Sequence, residues 1–76
     1  MSATTAARRL LAEALAIEEN ALPENPRIGA IDQWDSLAHM RVLLAIEERI
    51  GKPLDAEVAV TIESLSDIAK AIERHG

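Results

Sequence analysis

The chain has 76 residues, no cysteine and a formal net charge of −5. A chain of this length forms one domain, here residues 1–76, and buries only about 60% of the surface that its unfolded form exposes. It is too short to enclose a catalytic cleft within a supporting scaffold, so an enzyme is the least expected class. Without cysteine, neither a disulfide nor a cysteine-ligated metal can stabilise the fold.

The negative charge is concentrated in the middle of the chain. Residues 31–67 contain eight acidic and three basic side chains, whereas the remainder contains five of each. This distribution disfavours nucleic acid and anionic membranes as partners and is compatible with basic protein partners. The longest strictly apolar run is five residues, 42–46, too short for a membrane span. The N-terminus also lacks the apolar core of a signal peptide, so we expect a cytoplasmic location.

The predicted elements are all helical, because Ala, Leu, Ile, Glu and Arg dominate and no β-branched run is long enough for a strand. A first helix is predicted from a cap at Thr4 or Thr5 to about Glu19, with apolar residues at helical spacing. A long connection, 20–34, follows, and two prolines and a glycine prevent a helix there. Loops of this length are uncommon in small domains and are often functional.

A second helix is predicted from Asp35 or Ser36 to Ile50. Gly51 suits the residue after its last turn, and Pro53 forbids its continuation.

Two shorter elements complete the chain. Asp55 is predicted to cap a brief helix, Ala56–Val60, and Ser64 is predicted to open the last helix through a capping box with Asp67. The expected fold is therefore an all-α small bundle of three main helices plus one short helix.

The start of the second helix could carry chemistry. Asp35 is a good N-cap, because its carboxylate can accept hydrogen bonds from the free amides of the first turn. Ser36 then falls at about the first helical position, where capping does not require a serine. Its hydroxyl would be exposed at the positive end of the helix, which favours a phosphate. The alternative is that Ser36 is a spare or shared cap.

The wider sequence resembles the acyl carrier protein family. The resemblance rests on "WDSL" at residues 34–37, on a following helix that ends "AIEERIGKPL", and on the closing "SLSDIAKAI". The whole chain matches this family in the order and length of its elements. The resemblance implies that Ser36, between Asp35 and Leu37, is the attachment site of 4'-phosphopantetheine donated by coenzyme A. It also implies a carrier without catalytic residues of its own, expected to be a monomer.

The resemblance further implies which partners the chain meets. They are a phosphopantetheinyl transferase and the acyl-loading and acyl-processing enzymes of lipid, polyketide or related biosynthesis, which would dock through basic patches. The apolar residues of the second helix cover more than half of its circumference, so some are expected to face solvent. By analogy with the family, the partner surface is predicted to comprise Leu37, Leu44, Arg41, Glu47 and Glu48. The alternative is that both leucines belong to the core.

The residues after Leu37 depart from the fatty-acid synthase carriers, which resemble one another in having acids early in this helix. Here the sequence is "AHMR", with His39 and Arg41. This departure favours a dedicated carrier over a housekeeping one, unless it reflects drift on a solvated face. Trp34 precedes the cap and is predicted to pair with His39 as a staple, with ring stacking. His39 and His75 lack the ligand spacing of a metal site.

Two other functions remain open from the sequence. An aminoacyl or peptidyl carrier would have the same fold and the same modified serine. An unmodified helical adaptor would instead use the acidic face and exposed leucines for docking, and coenzyme A with a transferase would leave it unchanged.

Overall fold

A computed structural model describes residues 2–75, with the backbone alone for His75. It contains helices α1 (Ala3–Leu15), α2 (Ser36–Ile50), α3 (Ala56–Ala59) and α4 (Leu65–His75). One short 3-10 turn, Glu19–Ala21, lies between α1 and α2. The predicted all-α bundle of three main helices and one short helix is confirmed.

The three long helices share one core. α1 packs against both α2 and α4, and α2 also contacts α4. The buried side chains form a single cluster that is aliphatic apart from one indole. Its larger members are Leu10, Leu11, Leu15, Leu22, Trp34, Val42, Ile46, Ile62, Leu65, Ile68 and Ile72. None of the described helices combines the length and the apolar character that crossing a membrane requires.

Helix α1 begins earlier than the sequence predicted. Its cap is Ser2, whose side chain accepts a hydrogen bond from the Thr5 amide, so the predicted cap at Thr4 or Thr5 is wrong. Serine caps a helix at least as well as threonine. A cap at Ser2 also lengthens the helix and so adds backbone hydrogen bonds. Extending a helix costs less than nucleating it.

Helix α1 also ends earlier, at Leu15 rather than near Glu19. Ala16 takes the left-handed conformation, with φ 59°, and its amide bonds to the carbonyls of Ala12 and Glu13. The Ile17 amide donates to the Ala12 carbonyl at 3.0 Å, which completes a Schellman-type end. Alanine is strained in this conformation, so tertiary contacts must hold the chain there.

Arg8 provides such contacts. Its guanidinium donates hydrogen bonds to the carbonyls of Pro23 at 2.9 Å, Leu22 at 3.1 Å and Glu19 at 3.3 Å. These bonds fold the chain after α1 back along the helix and bring Leu22 into the core. They also explain why a basic residue lies in the N-terminal half of α1, where the helix dipole does not favour it.

The long loop is bound to the core and to the start of α4. Leu22, Pro26 and Trp34 are buried along it. The Ile28 amide donates to the Glu63 carbonyl at 2.8 Å, and the Leu65 amide donates to the Pro26 carbonyl at 3.0 Å. The loop therefore runs across the bundle in a fixed path and delivers the chain to the beginning of α2.

The last two helices, α3 and α4, differ from the predictions in detail. Helix α3 ends at Ala59 rather than Val60, and Asp55 occupies its N-cap position as predicted but makes no capping hydrogen bond with its side chain. A helix this short depends on packing more than on capping.

At α4, Ser64 accepts from the Asp67 amide at 3.4 Å, as a capping box requires. The Asp67 carboxylate accepts from the Glu63 amide at 3.0 Å and the Ser64 hydroxyl at 3.1 Å, one residue away from the usual pattern.

Replacement of Arg8 by alanine is expected to lower the free energy of unfolding by about 1–2 kcal/mol, because three carbonyls lose a charged donor. Arg8→Lys should recover only part of the loss, since an ammonium cannot reproduce the planar fork of a guanidinium. Urea unfolding of these variants measures the effect. The matched control is Arg9→Ala at the neighbouring exposed position. Equal losses for Arg8→Ala and Arg9→Ala would contradict this role of Arg8.

Candidate functional site

The candidate site lies where the long loop meets α2. Asp35 has an extended backbone, and its carboxylate accepts a hydrogen bond from the Ala38 amide at 2.8 Å. The His39 amide donates to the Asp35 carbonyl at 2.9 Å and begins the backbone ladder of the helix. Asp35 is therefore the N-cap of α2, as predicted, and the predicted helix end with Gly51 beyond Ile50 is also confirmed.

Ser36 is the first helical residue, and it is exposed. Because Asp35 supplies the capping oxygen, the fold does not need the Ser36 hydroxyl for that purpose. The hydroxyl lies beside the free amides and the positive end of a 15-residue helix. This environment stabilises a negative group bonded to the serine oxygen.

The chain just before the cap is fixed by Trp34, which is fully buried. Its indole Nε1 donates a hydrogen bond to Nδ1 of His39 at 3.0 Å. The two ring centroids are 5.9 Å apart and the ring planes are tilted by 30°. The predicted pairing of Trp34 with His39 is confirmed, but its main contact is an edge hydrogen bond instead of parallel stacking.

This hydrogen bond defines the protonation state of His39. An indole N–H can only donate, so Nδ1 of His39 must be an unprotonated acceptor, and the ring proton is assigned to Nε2. Burial lowers the pKa of His39 below its usual value, because the charged form loses solvent. Protonation of Nδ1 would remove the acceptor and leave the buried indole N–H without its partner.

Helix α2 has two distinct apolar faces. Ala38, Val42 and Ile46 are buried and form its core face. Leu37, Met40 and Leu44 are 71%, 58% and 57% exposed on the opposite side. They recur at spacings of three and four residues, which places them along one stripe of the helix. We call these three residues the apolar stripe. The alternative that both leucines belong to the core is wrong.

The charged residues predicted as partner contacts occupy different environments. Arg41 and Glu48 are exposed. Glu47 is half-buried, and its carboxylate accepts a hydrogen bond from the Leu54 amide at 2.8 Å. Glu47 therefore helps to fix the turn after α2, and it is less available to a partner than Glu48. Glu48 also borders a groove between α1 and α2, opposite Arg9.

Two exposed apolar residues were missed by sequence reasoning. Met40 lies within the apolar stripe, and its spacing from Leu37 and Leu44 was the signal that could have identified it. Val60, just after α3, is 76% exposed, and it was predicted to end that helix. No sequence pattern marks Val60 as a surface residue.

Comparison of the chain with protein-family models, with curated proteins and with solved structures gives no match. The functional assignment therefore depends on the residues at the start of α2 and on its solvent face.

The two faces of α2 predict opposite responses to truncation. Leu44→Ala is expected to change the free energy of unfolding by less than about 1 kcal/mol, since surface substitutions have small effects. Ile46→Ala, on the core face, should cost about 2–5 kcal/mol because it leaves a cavity. Urea denaturation of both variants provides the comparison. Losses of similar size would mean that Leu44 supports the fold and is not part of a free surface.

The Trp34–His39 bond predicts a pH dependence of stability. The pKa of His39 is lowered on folding. The contribution of neutral His39 to the free energy of unfolding is therefore complete above the unfolded pKa of about 6.5. That contribution is lost as the pH falls through the lower folded pKa, because the unfolded state then binds more protons.

His39→Asn isolates this effect, because an amide oxygen can accept from the indole and does not titrate. Between about pH 7.5 and pH 5.5, the urea midpoint of unfolding should fall more for the natural protein than for this variant. The same pH response in both proteins would exclude His39 as the source.

Proposed function

We propose that this chain is a carrier protein that holds acyl groups as thioesters on a 4'-phosphopantetheine arm attached to Ser36. The observation that supports the proposal best is an exposed serine hydroxyl at the N-terminus of α2, freed from capping by Asp35. The sequence resemblance to acyl carrier proteins and the three-plus-one helix arrangement point the same way.

The residues around Ser36 fit such a group. The phosphodiester would be joined to the Ser36 oxygen, where the free amides and the dipole of α2 favour negative charge by roughly 0.3–1 kcal/mol. Leu37 is exposed next to it and offers an apolar contact to an arm that leaves the serine. The Asp35 carboxylate is already engaged with the Ala38 amide, so the cap is kept when the serine is modified.

Attachment requires a partner enzyme. The Ser36 oxygen would attack the phosphorus of coenzyme A that bears the pantetheine, and 3',5'-ADP would leave. A phosphopantetheinyl transferase would bind coenzyme A and accept the serine proton. The arm then supplies the thiol that the cysteine-free chain lacks.

The chain would deliver its cargo by docking. The apolar stripe begins next to Ser36 and runs along α2, so an enzyme that contacts it would lie beside the residue to which the arm is attached. Tethering raises the effective concentration of the acyl group at each successive enzyme. We propose lipid, polyketide or related biosynthesis as the setting and the cytoplasm as the location.

The test is the intact mass of the protein after incubation with coenzyme A and a broad-specificity phosphopantetheinyl transferase. A gain of one phosphopantetheine group is expected for the natural protein and for Ser66→Ala. No gain is expected for Ser36→Ala. Ser66 is a matched control, because it is an exposed serine in the first turn of α4.

An unchanged mass in a folded natural protein would exclude the carrier function. It would favour an unmodified adaptor that binds proteins through the apolar stripe, whose three exposed side chains are the observation in favour of that second function.

A further inference from the structure

The solvent face of α2 is mixed in charge, although the surrounding chain is acidic. The apolar stripe of Leu37, Met40 and Leu44 is bordered by exposed Arg41 and, seven residues later, by exposed Glu48. Residues seven apart lie on the same side of a helix and about 10 Å apart along its axis. The face therefore presents a cation and an anion in a fixed order beside the apolar stripe.

The acidic residue nearest to the stripe on the other side contributes less to this pattern. Glu47 is half-buried, and its carboxylate is bonded to the Leu54 amide. Close to the serine, Asp35 is engaged in capping. Arg41 is the exposed cation that borders the stripe, and a uniformly basic partner surface would be repelled there.

We propose that the enzymes acting on Ser36, the phosphopantetheinyl transferase among them, dock on the apolar stripe with a carboxylate facing Arg41 and a basic group facing Glu48. This inference rests on the proposed carrier function and specifies the partner surface. The partner presents an apolar depression for Leu37, Met40 and Leu44, with the two charges about 10 Å apart along its edge. Charge order of this kind sets which partner is accepted more than how tightly it binds.

Other occupants fit the face less well. An anionic membrane surface would meet exposed Glu48 as well as Arg41, and so would nucleic acid. A second copy packed antiparallel could bring Arg41 near Glu48 of the copy. The exposed stripe contains only three large side chains, however, and a stable dimer buries about 800 Å² on each partner.

The test uses the phosphopantetheinyl transferase encoded by the same genome and the initial rate of Ser36 modification, measured as kcat/KM. Arg41→Glu is expected to lower kcat/KM roughly tenfold or more, because it sets two carboxylates against each other. The double variant Arg41→Glu, Glu48→Arg keeps the net charge of the natural protein and should be slower still. Lys70→Glu makes the same change of charge at an exposed position on α4 and should leave the rate within about twofold.

The possible results distinguish failure of the docking inference from failure of the proposed carrier function. A rate for Arg41→Glu equal to or above that of the natural protein would overturn the inference, since the partner would then be neutral or uniformly basic at this point. A double variant as fast as the natural protein would also overturn it, because net charge alone would then control docking. Failure of the natural protein to gain mass on Ser36 would instead remove the carrier function itself.

Two further measurements exclude the other occupants. Sedimentation that shows a stable dimer abolished by Leu44→Asp, or binding to vesicles of anionic phospholipid abolished by Arg41→Glu, would assign the face to a second copy or to a membrane and overturn the inference.

Discussion

Burial of Trp34 is the interaction on which the position of Ser36 depends. The indole is the largest fully buried side chain, and it lies at the last loop residue before the N-cap of α2. Its hydrogen bond to His39 joins the loop to the second turn of the helix, while the Asp35 cap closes the first turn. Ser36 lies between these two restraints. Its backbone is therefore fixed while its side chain stays in solvent, which suits a residue that another enzyme must reach.

Much of this arrangement could be predicted, because the signals at α2 are local. An aspartate before an apolar helix, and a glycine with a proline two residues later, define its two ends within a few residues of the chain. The C-terminal end of α1 was predicted wrongly for the opposite reason. Ala16 and Ile17 continue the helical pattern, and the stop is imposed by Arg8, whose three bonds reach residues 11 to 15 positions away. Such a tertiary contact leaves no local mark in the sequence.

The features of the candidate site likewise divide into those that the sequence predicts and those that depend on tertiary contacts. Ser36 and Asp35 could be assigned from the sequence. The wide apolar surface of α2 predicted that some of its residues face solvent, while the choice of Leu37 and Leu44 came from the resemblance to acyl carrier proteins. The sequence predicted that Trp34 and His39 are in contact but not that they form a hydrogen bond. Side-chain orientation decides whether two such rings stack or form a hydrogen bond. The role of Glu47 could not be predicted, because its acceptor function depends on where the turn after α2 places the Leu54 amide.

The average charge of a segment is a poor description of its docking surface. Residues 31–67 are acidic overall, which suggests a uniformly basic partner. The fold engages Glu47 and Asp35 in hydrogen bonds to backbone amides and leaves Arg41 exposed at the border of the apolar stripe. Exposed charges more than about 10 Å apart are largely screened from each other at physiological salt, so a partner responds to the local order of groups and not to their sum. Under the proposed carrier function, discrimination among carriers of similar net charge would then depend on whether a cation or an anion lies beside Leu37 and Leu44.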